Sequence, residues 1–349
     1  MEKKQYVGLD IMKYLSAIFV VAIHTAPFIE INPTLNVLVV SIIARIAVPF
    51  YFVCSSFLFF RKIDFSLGWW NEDNLKHFKK YILHLLKLYL VWCAIYFIFN
   101  IAMWIQGGFN LSSIVRYIRD FFFTGGFYHL WFLPALMFGT SIVYFLHTYL
   151  RPYYMFLITF ILYLLGMSLN LYGSVIENIP LIGKLAQLYQ NVFVTTRNGL
   201  FFAPIFIVMG ANMKLIQRKT DGKKAIFPCI ICFGLLIFEG LCLYYNHMIH
   251  DLSCMYLSLM PLLLYLFIWL LSLDLKPSEH DVHMRNQSLL IYVSHIAVSL
   301  ILKSVCEFLH MPLGNFSWFL GTLILSMLLS RKIEFASLKP KGKFLKILY

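Results

Sequence analysis

Charge is what this sequence has least of. Only 13% of its 349 residues are Asp, Glu, Lys or Arg, whereas 60% are apolar, and the mean hydropathy is +0.76. Soluble domains are about a quarter charged, so the composition excludes a water-soluble enzyme and assigns the chain to a bilayer. The sequence also lacks a serine–histidine–aspartate set, a zinc-ligand cluster and a glycine-rich phosphate loop, so no metal is expected. No small-residue cleavage site follows the first apolar run, which is too long for a signal peptide and is expected to stay in the protein. Repeats, low-complexity tracts and a soluble appendage are lacking too. The seven cysteines all fall in apolar stretches, where thiols pack as small hydrophobes, so no disulfide framework is expected. Cys229 and Cys232 have redox-motif spacing, but in "IFPCIICFGLL" they read as packing residues.

What is present is a succession of apolar runs. A span needs about 20 mainly apolar residues, and the sequence predicts ten spans, near 8–30, 36–60, 81–103, 128–149, 153–172, 197–216, 225–246, 254–274, 288–308 and 316–331. The expectation is an all-α integral membrane protein, one polytopic domain over 1–349, with both termini cytoplasmic. Charge distribution supplies the check. With the N-terminus inside, Lys3, Lys4, Arg61, Lys62, the 76–80 lysines, Arg151, the 214–224 group, Lys276, Arg285 and the tail bases together place 21 Lys and Arg on the inner side. The outer side receives only Arg116, Arg119, Lys184 and Arg197, the asymmetry that the positive-inside rule requires. The net charge of +13 is therefore an inner-leaflet effect, and no nucleic-acid partner is expected. Before the fourth span, "SSIVRYIRDFFFTGG" has one basic and one aromatic side, as expected of a short amphipathic helix along the outer interface.

The residues that should not be in hydrocarbon carry the most information. Lys13, Arg45, Lys87 and Lys303 fall within spans, as do Asp10, Glu239, Glu307, His24, His84 and His295. A basic or acidic side chain at a span centre costs about 2.5–3.5 kcal/mol on insertion scales, so each needs a partner or a watered cavity. Lys13 and His24 are eleven residues apart, nearly three helical turns, which puts them on one face about 16 Å apart along the axis. Asp10 precedes Lys13 by three and joins the stripe. A polar stripe must face the bundle interior and reads as the wall of a passage. Taken alone, Lys13 also reads as snorkelling to the inner headgroups beside Asp10, and His24 as a hydrogen-bonded interior residue. Lys303 and Glu307, at i and i+4, are expected to satisfy each other. Arg45 lies well inside the second span, and its guanidinium stays charged.

The stretch "GLDIMKYLSAIFVVAIHT" resembles the first-helix signature of the acyltransferase-3 family of integral membrane acyltransferases: a basic residue, ten others, then histidine, matched by Lys13 and His24. The likeness continues in order through "ARIAVPFYFVCSSFLFF", "KKYILHLLKLYLVW", "YHLWFLPALMFG", "TRNGLFFAPIFIVMGANM" and "SLLIYVSHIAV". Two departures stand out. Ser55, Ser56 and Phe57 occupy the place where the family commonly has Ser-Gly-Phe, and His84 and Lys87 stand where arginines are common. Lysine lacks arginine's bidentate fork, which weakens the case for tight phosphate binding. The opening and third helix look most like a Gram-positive branch that includes the membrane halves of vancomycin-resistance serine racemases; the chain ends at Tyr349, with no room expected for their racemase domain.

The resemblance implies a cytoplasmic acyl-CoA donor, such as acetyl-CoA, and an extracytoplasmic acceptor, usually a cell-envelope sugar. On that reading Lys13, Lys80, His84, Lys87, Arg61 and Lys62 lie toward the donor phosphates. His24 is the general base, Asp10 balances Lys13, and Arg45 stabilises developing negative charge or an acidic acceptor. The expected partners are the small-molecule donor, a cell-envelope sugar or amino-acid substrate, the lipid bilayer of the cell membrane and, as an open option, a second copy in a homodimer. The competing reading is a transporter for a small amino acid, L-serine, with the stripe as permeation path; discontinuous helices would favour it. A silent scaffold is opposed by the cost of the charges inside the spans.

Overall fold

The structure is a computed structural model that describes residues 5–176, 179–250 and 253–349. Lys3 and Lys4, counted above on the inner side, lie outside them. The described residues contain helices and no strand, as a chain in hydrocarbon requires, because a helix satisfies its own backbone groups. Among the described residues, seven helices are long and apolar enough to cross a membrane. They are α1 (Val7–Thr25), α2 (Pro33–Phe60), α3 (Glu72–Gly107), α6 (Pro152–Leu171), α9 (Ile226–Tyr245), α11 (Glu279–Phe308) and α12 (Asn315–Leu338). Between them lie α4 (Leu111–Phe123), α5 (Phe132–Leu146), α7 (Pro180–Phe193), α8 (Ala203–Ala211) and α10 (Leu259–Ser272). Of these, α5 and α10 are apolar but shorter.

The expected spans at 197–216 and 254–274 begin later than hydropathy suggests, and in both a side chain sets the start. Asn198 accepts hydrogen bonds from the N–H groups of Leu200 (2.9 Å) and Phe201 (3.0 Å), which holds a turn before α8 begins at Ala203. Glu239 accepts from the N–H groups of Leu257 (2.7 Å) and Ser258 (2.8 Å) and from the Ser258 hydroxyl. A carboxylate on those amides caps α10 at its N-terminus, so the acid inside α9 has a structural task. The 111–123 segment is helical as expected, with Leu111, Val115, Ile118 and Phe122 exposed along one side. Its neighbour α7, not foreseen in the sequence, has the same character, and Arg119 donates to the Asn191 carbonyl at 3.4 Å.

The chain divides into two compact units. One comprises 1–51, 216–247 and 256–349, hence α1, the first part of α2, and α9 to α12. Within it α1 packs against α11 and α12 around Ala17, Val21 and Ile291. The α12 face turned inward carries Thr322, Ser326, Ser330, Glu334 and Ser337, all buried. Small residues one turn apart let helices approach closely where apolar burial gives no net drive between them.

The other unit comprises 52–215 and 248–255. Phe52 anchors it against Phe132 (4.7 Å between ring centroids), Phe202 and Trp131. Here the Ser-Ser-Phe departure finds its compensation. Ser56 is fully buried and donates to the Phe52 carbonyl at 2.7 Å, and the facing helix presents Gly210, where an added Cβ would run into Ser56 Oγ and the Val53 carbonyl. The close approach that a glycine at 56 would allow is supplied from the opposite side. Gly210→Ala is therefore expected to lower stability by about 1–3 kcal/mol through overpacking, measured as a drop in thermal midpoint in detergent. An unchanged midpoint would contradict the packing described.

Candidate active site

The first helix carries the titratable stripe, and its neighbours explain how that stripe is tolerated. Lys13 Nζ donates to Asp10 Oδ1 at 2.8 Å, one turn away, with side-chain exposures of 11% and 8%. Ile11 and Leu15 take the exposed side of the same helix, so the charged pair faces protein rather than lipid. Pairing in this setting offsets much of the cost of desolvating each charge. The backbone at Lys13 is held as well: the Tyr51 hydroxyl donates to the Lys13 carbonyl at 2.7 Å.

From Tyr51 a row of rings leads outward along α11. Its ring centroid is 6.0 Å from that of Tyr292, which lies 6.4 Å from His295, and His295 is 5.2 Å from His24 at an interplanar angle of 34°. His295 is fully buried, and its Nδ1 contacts the carbonyl oxygens of Tyr292 (2.7 Å) and Ile291 (3.2 Å). A carbonyl oxygen only accepts, so Nδ1 carries the proton, and the neutral ring keeps its lone pair on Nε2. The result is an imidazole with an enforced tautomer, its ring tilted against that of His24.

The end of α1 is fixed by α12. Asn315 Nδ2 donates to the carbonyls of Thr25 (3.1 Å) and Ala26 (3.4 Å), and its N–H donates to Glu30 at 2.9 Å. Ala26, with φ of 46°, ends α1 in the left-handed region, where a helix typically terminates. His24 thus sits one turn inside a tethered helix end.

Arg45 lies buried in the same unit, at a break in α2. Residues Val37–Ile42 form a π-helix and Ile43–Ile46 a 3-10 turn before the α-helix resumes at Ala47. The turn bearing Arg45 packs against α1, and short π segments often mark functional positions. The structure therefore collects Asp10, Lys13, His24 and Arg45 in one unit, together with His295. That last residue was visible in "YVSHIAV" as a histidine in an apolar run, but its pairing with His24 is a tertiary contact that spacing cannot reveal.

The other expected donor residues lie in the second unit. Lys80, His84 and Lys87 are exposed on one face of α3, at i, i+4 and i+7. Arg61 is partly buried, and its carbonyl accepts from Lys214 Nζ at 3.1 Å. The expected Lys303–Glu307 pair is not formed. Lys303 Nζ instead lies 5.7 Å from the ring centroid of Trp318 on α12, since an aromatic face competes well with an exposed carboxylate for an ammonium.

An amino-acid racemase of Enterococcus faecalis is 28% identical over 327 residues, covering 93% of this chain and 45% of the relative. A second one from that organism is 31% identical over 273 residues, covering 77% of the chain and 36% of the relative. A serine/alanine racemase of Enterococcus gallinarum is 30% identical over 293 residues, or 82% of the chain and 40% of the relative. The chain thus spans less than half the length of the curated relatives it matches. No solved structure matches it. A family described as an acyltransferase domain matches residues 6–331, across both units, and the chain belongs to this acyltransferase-3 family.

Proposed function

We propose that the protein is a membrane acyltransferase that moves an acyl group, acetyl in the simplest case, from cytoplasmic acyl-CoA to an extracytoplasmic hydroxyl or amine on a cell-envelope glycan or similar acceptor. The observation that carries this reading is the His24–His295 ring pair, 5.2 Å between centroids, at the far end of a polar row that starts at Asp10 and Lys13. An imidazole titrates near ambient pH and suits proton removal from an acceptor. In the step proposed, the acceptor oxygen or nitrogen attacks the thioester carbonyl, His24 takes its proton, the C–S bond breaks, and the departing thiolate takes a proton in turn. His295, with its lone pair on Nε2, supports the positive charge that His24 acquires. Lys13 attracts the anionic donor toward the row and Arg45 stabilises the oxyanion. The excess of positive charge on one side supports a donor end that faces the cytoplasm.

A second reading has an observation of its own. The π-to-3-10 break at Arg45 is the irregular backbone that transport sites favour, and one relative is named a serine/alanine racemase. On this reading the same row conducts L-serine.

Two outcomes separate the readings and test the residues. Purified protein in lipid with radiolabelled acetyl-CoA should turn over the thioester, and His24→Ala should lower that rate about 10²–10⁴-fold, the range for a lost general base, without changing the thermal midpoint. Serine uptake by proteoliposomes, with no CoA binding or thioester turnover, would refute the enzyme. For the ion pair, Asp10→Ala leaves Lys13 without its partner and should destabilise the fold by about 3–5 kcal/mol. The double variant Asp10→Ala/Lys13→Met should recover most of that stability while losing donor affinity; equal stability of Asp10→Ala and wild type would show that Lys13 reaches water instead.

A further inference from the structure

A cavity of about 940 Å³ opens at the ends of α11 and α12 that the charge asymmetry assigns to the inner leaflet. It is near the upper end of the roughly 300–1,000 Å³ typical of ligand sites. Its rim carries His280, His283, Arg331 and Lys332, and its walls are otherwise mainly apolar. The apolar wall continues onto Leu328, Phe335 and Leu338, which are exposed on α12, so the cavity opens toward hydrocarbon and interface. One carboxylate, Glu334, lines it and is already engaged: it is buried and accepts from Asn286 Nδ2 (2.8 Å), Gln287 Nε2 (3.1 Å) and His283 Nδ1 (3.0 Å). Glu334 therefore acts on His283, fixing a proton on Nδ1, rather than opposing an anion at the rim.

The chain beyond α12 adds to the same field. Residues Pro340–Leu348 form a 3-10 segment that folds back on α12, with Gly342 against the Ala336 carbonyl and the Ser337 and Tyr349 hydroxyls 2.6 Å apart. It presents Lys341, Lys343 and Lys346 beside exposed Phe344 and Ile347, and Lys339 Nζ lies 5.1 Å from the Phe335 ring centroid. Lysines alternating with exposed apolar residues suit a segment resting on an anionic membrane surface. A basic pocket between spans on the cytoplasmic side is a setting for a lipid headgroup.

We propose that this cavity binds an anionic phospholipid of the inner leaflet, with the phosphate at Arg331, Lys332 and the two histidines and the acyl chains along the exposed α12 wall. The inference is independent of the transfer chemistry proposed for the His24 row. It is tested on the full chain, extracted from nanodiscs containing equal phosphatidylglycerol and phosphatidylcholine and analysed by native mass spectrometry. Wild type should retain phosphatidylglycerol in preference to phosphatidylcholine. Arg331→Gln/Lys332→Gln should weaken that retention about 30-fold, since each juxtamembrane base contributes about 1 kcal/mol. Both side chains are exposed, so the fold should survive, and an unchanged thermal midpoint in phosphatidylcholine verifies it. Lys219→Gln/Lys223→Gln removes the same charge elsewhere on the inner side and should leave retention within about twofold. Equal losses in the two double variants would overturn the site in favour of diffuse attraction. Displacement of the lipid by equimolar CoA or glycerol 3-phosphate would overturn it in favour of a soluble phosphate.

Discussion

The requirement that no charge stand alone in hydrocarbon governs this molecule. A lysine and an aspartate one turn apart on α1 meet it by facing each other inside the bundle, at 2.8 Å, and everything near them follows from that choice. A helix with a paired charge on one side and isoleucine and leucine on the other has one tolerable rotation about its axis. That rotation turns Lys13 inward, and the helical repeat then turns His24 inward three turns later. The partner helices are built to receive it: α12 offers small buried residues, and α11 offers Tyr292 and His295.

The same logic explains other ionisable groups in the helices. Glu239 spends its charge on the amide groups that open α10, and Glu334 on two amides and an imidazole. Lys303, near the far end of α11, takes a tryptophan face. These satisfied groups hold the structure together. His24 and His295 lie beside each other near the tethered end of α1, and Arg45 lies at the break in α2.

Much of this was legible in the sequence. Composition established the solvent, and the helical repeat of about 3.6 residues per turn placed Asp10, Lys13 and His24 on one inward stripe. The exceptions have physical reasons. The delayed starts of α8 and α10 depend on side chains that accept from backbone amides, Asn198 from Leu200 and Phe201 and Glu239 from Leu257 and Ser258, bonds that hydropathy does not register. The break at Arg45 falls in an apolar run with no proline or glycine until Pro49, so nothing local announces it. The Lys303–Glu307 expectation used only helical spacing and did not foresee the ring that α12 brings to Lys303. His295 stood in view as a residue, while its pairing with His24 joins helices far apart in the chain, a contact that no periodicity encodes. In the same way, Gly210 had no visible connection to the Ser55–Phe57 departure until the two helices faced each other.

The central claim is that His24 and His295 act as one unit on the proton of the acceptor. A double-mutant cycle on single-turnover acyl transfer, with His24→Ala, His295→Ala and both together, tests it most directly. Residues that work as a unit are strongly non-additive, so the double variant should be no slower than His24→Ala alone. Losses that multiply independently, with His295→Ala adding its full effect in the absence of His24, would contradict the account.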